Sequence, residues 1–117
     1  IQANLGTPID FNKVEVTKSI YFSSEHEKSV SISTTIDAKN DYETNLDVYM
    51  LYQISDENGR VIHIDWSRIF APAEGTFTAY HNCDVLKSGK YTVDIFVFNN
   101  LENPVPYSTK FSETIFV

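Results

Sequence analysis

The sequence predicts an all-β protein, a two-layer antiparallel sandwich of seven or eight short strands. Segments that alternate apolar and polar residues recur from end to end, turn signals separate them, and no convincing helical period interrupts them. The chain has 117 residues, 42% apolar and 14% aromatic, which suits one domain (1–117) with a single hydrophobic core.

The first segments set the pattern. Phe11 to Phe22 is predicted to form one strand or a pair of strands broken at Ser19. Lys28 to Asp37 alternates isoleucine and valine with serine and threonine, which is typical of a half-buried strand with its hydroxyls outside. Ala38 to Asn45 is polar and is predicted to be a turn.

A hairpin follows in the middle of the chain. Leu46 to Ser55 places five apolar residues on one face, and Val61 to Ser67 returns with Ile62, Ile64 and Trp66 on one side. Between them, Asp56 to Gly59 reads Asp-Glu-Asn-Gly, and the Asn-Gly pair accepts positive φ without strain. These four residues also resemble half of a calcium loop, but the remaining ligands are missing and a turn explains them fully.

The last third supplies the remaining strands. Thr76 to Val85 alternates, with Cys83 on the apolar face, and a strand beginning at Gly89 points Tyr91, Val93, Ile95 and Val97 inward. Asn99 to Tyr107 is a long connection with two prolines, and Thr109 to Val117 closes the domain. Cys83 is therefore expected to be a small packing residue.

The segment Leu86-Lys-Ser-Gly-Lys-Tyr91 has the form of a tyrosine corner, with Leu86, Gly89 and Tyr91 as its structural residues. In such a corner a buried tyrosine hydroxyl bonds to an upstream backbone group, here predicted near Leu86 or Lys87. This segment makes the predicted sandwich immunoglobulin-like.

The charge and cysteine content restrict the possible partners. Nine basic and sixteen acidic residues give a net charge of −7, which argues against nucleic acid and anionic membranes. The sequence contains no run of 18 apolar residues, so direct membrane insertion is not expected.

The cysteine content and the first residue bear on the origin of the chain. With a single cysteine, no intrachain disulfide can form, which favours a protein of a bacterial, Gram-positive exterior. Because the chain begins at Ile1 without a leader, we expect a fragment or a mature product.

No catalytic, cofactor or metal residues are predicted. His26, His63 and His81 lie in separate segments, and none adjoins a nucleophile motif. His81 and Cys83 share a face and could supply two zinc ligands if His63 approached them, but this depends on strand pairing.

Outward-facing apolar residues are the main functional signal. If Tyr91 and Val93 point inward, Phe96 and Phe98 point outward, as Tyr49 and Leu51 do on the long central strand. These four residues form a candidate interface because contiguous apolar patches usually mark interaction sites. Two alternatives remain open at this stage: the connection Asn99–Tyr107 covers the patch, or exposed rings stack on sugars.

Several segments from Lys28 onward form a recognisable series: Thr34-Thr-Ile-Asp-Ala-Lys-Asn40, Leu46-Asp-Val-Tyr49, the stretch from Tyr52 through the Asp56–Gly59 turn to Ile62, Leu86-Lys-Ser-Gly-Lys-Tyr-Thr-Val93 and Asn103-Pro104. In this series the chain resembles immunoglobulin-like and fibronectin III-like modules of bacterial surface and secreted proteins. The resemblance implies a non-catalytic, extracellular or cell-surface module that spaces domains or binds neighbouring domains or other proteins.

Two alternative functions are also compatible with the sequence. One is a carbohydrate-binding or accessory module of a secreted hydrolase, whose partner would be a polysaccharide. The other follows from a weaker likeness, around the Gly-x-Tyr strand, to the small intracellular proteinase inhibitors of bacilli, and implies a cytoplasmic location.

Overall fold

The computed structural model describes residues 7–22, 28–85 and 88–117, apart from the side chains of 20–22 and 28–29. Its strands form two antiparallel sheets, which confirms the predicted immunoglobulin-like sandwich. The strands are β1 (Ile9–Phe22), β2 (Lys28–Asn40), β3 (Leu46–Ser55), β4 (Val61–Ala71), β5 (Thr76–Val85), β6 (Lys90–Phe98) and β7 (Phe111–Phe116). Within the described ranges, no helix is long and apolar enough to cross a membrane.

The sheets contain three and four strands, in the orders β1-β2-β5 and β4-β3-β6-β7. In the constant-type immunoglobulin order the fourth strand joins the fifth. Here β4 instead pairs with β3, from Leu46 opposite Ala71 to Ser55 opposite Val61. As a result, β4 and β5 are edge strands that face each other across a seam between the sheets.

The core lies between the inner faces, as the alternation predicts. Ile32 and Ile36 of β2 are fully buried in one core with Val48 and Met50 of β3 and Ile95 of β6, which are fully buried as well. Every second residue of β3 and of β6 is buried. These strands therefore have one core face, and their other face is free to act as a surface.

Of the two alternatives predicted for the first strand, the single strand is confirmed: β1 does not break at Ser19, which pairs with Ser31, and its irregularity lies between Phe11 and Lys13. The predicted ends of other strands are wrong. β2 continues to Asn40, and the following turn is shorter than predicted. β4 continues past Ser67 to Ala71, which is buried opposite Leu46.

Asn40 explains the longer second strand. Its side chain is fully buried and donates to the carbonyls of Thr44 (2.9 Å) and Ala71 (3.1 Å), while its Oδ1 accepts the Tyr42 N–H. Its backbone N–H donates to the Gly75 carbonyl. Since each buried polar group has a partner, a polar residue can end the strand inside the fold.

The predicted hairpin at Asp56–Gly59 is confirmed. The Gly59 N–H donates to the Asp56 carbonyl at 3.0 Å, and Gly59 has φ of 80°, a conformation that favours glycine. The Asp56 carboxylate accepts the N–H groups of Asn58 and Arg60 at 2.9 Å. Its role in the described structure is to close the turn.

Candidate interaction surface

The outer face of the four-stranded sheet brings together the four residues of the candidate interface. Tyr49 on β3 is opposite Phe98 on β6, and Leu51 is opposite Phe96. The rings of Phe96 and Phe98 are parallel, with centroids 6.0 Å apart. All four side chains are half-buried, so they form a contiguous layer rather than isolated surface residues.

β4 extends this layer. Trp66 lies opposite Leu51, and its ring centroid is 5.7 Å from that of Tyr49. Trp66 is 51% exposed and Ile64, two residues earlier on the same face, is 56% exposed. We call Tyr49, Leu51, Ile64, Trp66, Phe96 and Phe98 the outer apolar patch.

The alternation in the sequence predicts that Ile64 and Trp66 share a side of their strand, but does not show that this side is the outer sheet face. That side can be identified from the later residues of the same strand, since Ile69 and Ala71 pack inward. Because side chains alternate, the even-numbered residues from Ile64 to Phe70 must then point outward.

Polar groups border the outer apolar patch. Arg68 donates to the Asp47 carboxylate at 2.9 Å, so these two charges compensate each other. On the opposite border, Asp94 lies between Gln53 on β3 and Ser112 on β7. An apolar centre with a polar border is the usual anatomy of a protein interface.

One atom of this border is unusual. Oδ1 of Asp94 is buried and finds no hydrogen-bond partner within the described residues. A buried carboxylate oxygen normally accepts a hydrogen bond, because desolvation without one costs free energy. Asp94 therefore has one enclosed carboxylate oxygen that no group outside the domain can reach in this conformation.

The outer face of the three-stranded sheet has a different chemistry. The Ser31 hydroxyl lies 2.8 Å from the Asn82 carboxamide oxygen and 2.9 Å from an Asp84 carboxylate oxygen and can donate to either, and Thr78 donates to Asp37 (3.0 Å). The predicted serines on the outside of β2 thus take part in a polar hydrogen-bonded surface. Among the described side chains of this face, the Tyr80 ring is 62% exposed.

The connection after β6 packs beside the patch. Phe98 forms a bridge with Pro106, and the Asn99 and Val105 backbones are linked by a hydrogen bond of 3.1 Å. The connection's Leu101 and Val105 are themselves exposed. Trp66 and Ile64 also remain more than half exposed, so the connection leaves the β4 side of the patch uncovered.

The predicted corner lies at the start of β6. Tyr91 is 6% exposed, as a corner tyrosine must be, and its burial raises the pKa of the phenol. Gly89 is paired with Val117 through two backbone hydrogen bonds. Leu86 and Lys87 lie outside the described residues, so the hydroxyl partner near them stays a prediction.

The seam between β4 and β5 contains a second polar cluster. His81 is 8% exposed, and its ring stacks on Tyr52 with centroids 4.6 Å apart. Its Nδ1 lies 3.8 Å from the Asp65 carboxylate, while its Nε2 is buried without a partner in the described part of the chain. Burial lowers the pKa of His81, although Asp65 opposes this.

Cys83 lies on the same inner face and is buried. Its thiol lies 3.5 Å from the Asp84 carbonyl, and burial raises its pKa, which disfavours the reactive thiolate. His63 also faces the seam, 6.0 Å from Tyr52 between ring centroids. Across the described ranges, no three side chains of His, Cys, Asp or Glu converge as a metal site would require.

Comparison with known proteins gives structural likeness alone. No family model and no curated protein matches the sequence. Among solved structures, a glycosyl hydrolase family 2 member from Bacteroides cellulosilyticus matches with a TM-score of 0.73 at 14% identity. The match covers 93% of this chain and 15% of that one.

Two further structures match in the same way. The Bacteroides uniformis beta-glucuronidase has a TM-score of 0.71 at 15% identity, over 86% of this chain and 13% of that one. A beta-glucuronidase from glycoside hydrolase family 2 has a TM-score of 0.66 at 14% identity, over 86% and 11%. The chain thus spans less than a sixth of the length of these enzymes, and the likeness establishes a shared fold.

Proposed function

We propose that this chain is a non-catalytic sandwich module of a larger protein, of the accessory kind that accompanies a glycoside hydrolase. In this proposal the outer apolar patch packs against a neighbouring domain of the same polypeptide. The observation that carries the proposal is the difference between the two outer faces. One is polar and hydrogen-bonded, whereas the other exposes Trp66 and Ile64 beside four half-buried apolar side chains.

The contrast matters because both faces belong to the same small domain. A sheet face that only meets water needs no contiguous aromatic layer, and the described side chains on the outer face of β1-β2-β5 form none. Trp and Tyr are also the residues that most often carry binding energy at protein interfaces. A covering protein surface would bury Trp66 and Tyr49 together.

The structural neighbours support the accessory role. Each reported hydrolase contains a segment of this fold that makes up 11 to 15% of its length. Such a segment is a module within a longer chain. A non-catalytic role is also supported by Cys83, whose burial and raised pKa are unsuited to a nucleophile.

The test uses the single tryptophan of the chain as a reporter, since Trp66 lies in the patch. The purified chain is titrated with the polypeptide encoded by the rest of the same gene. We expect a blue shift of tryptophan emission on association. In a binding assay, Leu51→Ser should weaken association, whereas Tyr80→Ser on the other outer face should leave it unchanged.

Other outcomes would overturn the proposal. They are no association with the rest of the gene product, equal effects of Leu51→Ser and Tyr80→Ser, or a gene that encodes no further domain. A fluorescence change produced instead by soluble polysaccharides would favour the sugar-stacking alternative. Sedimentation of the chain alone would detect a second copy as the occupant.

A further inference from the structure

We propose that the outer face of the three-stranded sheet binds a neutral polysaccharide, with the Tyr80 ring as the surface on which a sugar stacks. This inference goes beyond the proposed function, because it concerns the face opposite the outer apolar patch and does not depend on domain docking. Its starting point is Tyr80, which is 62% exposed on the edge strand β5.

A chain of hydrogen bonds holds the Tyr80 ring across the sheet. Tyr80 pairs with Thr35 on β2, yet its hydroxyl donates to the hydroxyl of Ser33, two residues away on that strand, at 3.3 Å. Ser33 in turn donates to Oδ1 of Asn82 at 2.8 Å. The ring therefore leans over the sheet while much of its surface stays open to solvent. A ring held in this way loses less conformational entropy when a ligand stacks on it.

The polar groups beside Tyr80 supply both donors and acceptors. Asn82 accepts hydrogen bonds through its oxygen, so its two amide N–H groups remain to donate and have no acceptor within the described residues. Asp84 has one carboxylate oxygen 2.9 Å from Ser31, and in the same part of the structure its second oxygen accepts no hydrogen bond. Both side chains are exposed. A ligand with neighbouring hydroxyl groups can donate to the carboxylate and accept from the amide.

This combination fits a sugar better than a protein. A pyranose has a face of C–H groups, which packs on an aromatic ring, and a rim of hydroxyl groups that donate and accept hydrogen bonds. A protein partner normally meets an apolar centre, whereas β2 presents the side chains of Ser31, Ser33 and Thr35 here. One exposed ring alone is ordinary on a protein surface. The oriented donors and acceptors beside Tyr80 are what indicate a ligand.

The charges favour a neutral polymer. Lys13, which belongs to the same outer face, is paired with Glu15 at 2.8 Å. Asp84 is also negative, and the whole chain carries a net charge of −7, so an acidic polysaccharide would be repelled. Because the site is an open sheet face, one sugar unit makes contact on one side only. A polymer strengthens such weak contacts by repeating them.

The experiment is affinity electrophoresis of the chain in native gels that contain galactomannan, xyloglucan or amylose, with polygalacturonate as the acidic counterpart. We expect at least one neutral polymer to retard the protein and polygalacturonate not to do so. Tyr80→Ser should weaken the binding roughly tenfold or more, because it removes the stacking surface. Tyr80→Phe keeps the ring and should weaken it less than about threefold.

Two further variants locate the site. Asn82→Asp keeps the oxygen that accepts from Ser33 but removes the N–H donors, so it should also weaken the binding. Leu51→Ser, on the opposite face, is the matched control and should leave it unchanged. The urea midpoint of Tyr80→Ser should stay close to that of the parent because Tyr80 is exposed, so that lost binding is not lost folding.

Several outcomes would overturn the inference. They are no retardation by any of the three neutral polymers, retardation by polygalacturonate alone, or binding that Tyr80→Ser leaves intact. If Leu51→Ser abolishes the retardation instead, sugars bind the outer apolar patch and the assignment to this face is wrong. Domain association is measured separately through Trp66, so the proposed function can fail while this inference stands, and the reverse.

Discussion

Tyr52 and His81 stack almost parallel in the seam between the two sheets, with ring centroids 4.6 Å apart and an interplanar angle of 9°. Tyr52 belongs to the four-stranded sheet and His81 to the edge of the other sheet. The Tyr52 hydroxyl also hydrogen-bonds to Thr34 Oγ1 at 2.9 Å. This one tyrosine therefore joins two strands of the opposite sheet.

The buried histidine should make stability depend on pH. Its pKa in the folded protein is lowered from 6.5, mainly by burial. In mild acid the histidine is therefore protonated to a greater extent in the unfolded chain than in the folded one. Stability should be full above about pH 7 and fall as the pH drops towards 5. His81→Phe keeps an aromatic ring on Tyr52 and should flatten this dependence, as measured by urea unfolding at each pH.

Asp65→Asn is the complementary variant. It removes the carboxylate near His81, which opposes the lowering of its pKa, so the loss of stability in mild acid should become larger. Equal pH slopes in the parent and His81→Phe would show that His81 does not cause the dependence.

The side chains of Tyr52 and Thr34 should be coupled in their contributions to the free energy of unfolding, because they hydrogen-bond to each other. Tyr52→Phe leaves the buried Thr34 hydroxyl unpaired and should cost roughly 1–3 kcal/mol in the free energy of unfolding. Adding Thr34→Val removes that unpaired group and should recover part of the loss. A double variant whose cost equals the sum of the single costs would argue against coupling.

The corner prediction is tested at Tyr91. Tyr91→Phe removes the hydroxyl of a buried tyrosine and should lower the free energy of unfolding by about 1–2 kcal/mol if the corner hydrogen bond is present. Tyr80→Phe makes the same chemical change at an exposed ring and should have little effect on the urea midpoint. A Tyr91→Phe protein with the midpoint of the parent would rule out the corner.

Cys83 should react slowly while the protein is folded. It is the only cysteine, so a thiol reagent reports on it alone. Because it is buried and its pKa is raised, modification should be slower than in urea by on the order of a hundredfold. Rapid modification of the folded protein, or a melting temperature raised by zinc, would contradict a packing role.

The fold was predictable where the alternation is strong. β3 and β6 carry apolar residues on both faces. Their core faces can still be identified, because every second residue from Val48 to Ile54 and from Tyr91 to Val97 is apolar and buried. The same alternation predicted that Tyr49 and Phe96 point outward. Their exact cross-strand partners depend on register, which two strands distant in sequence do not reveal.

Other features depend on tertiary contacts that sequence patterns do not carry. Asn40 is polar and follows a lysine, a pattern that predicts a turn, yet three hydrogen bonds of its side chain allow it to be fully buried. In the sequence, Asp94 is a polar residue two positions before the outward-facing Phe96. Its buried, unpaired oxygen depends on how β3 and β7 flank it.

Asp65 has a consequence for the solubility of the domain. Its strand, β4, is a sheet edge, and an unpaired edge can recruit a strand from another molecule into a growing sheet. The Asp65 carboxylate accepts the backbone N–H of Trp66 at 2.9 Å and places a charge on the inner side of that edge. A strand from another molecule would have to displace this carboxylate in order to pair with β4. The strand that exposes Trp66 is therefore also protected by Asp65 against edge-to-edge aggregation.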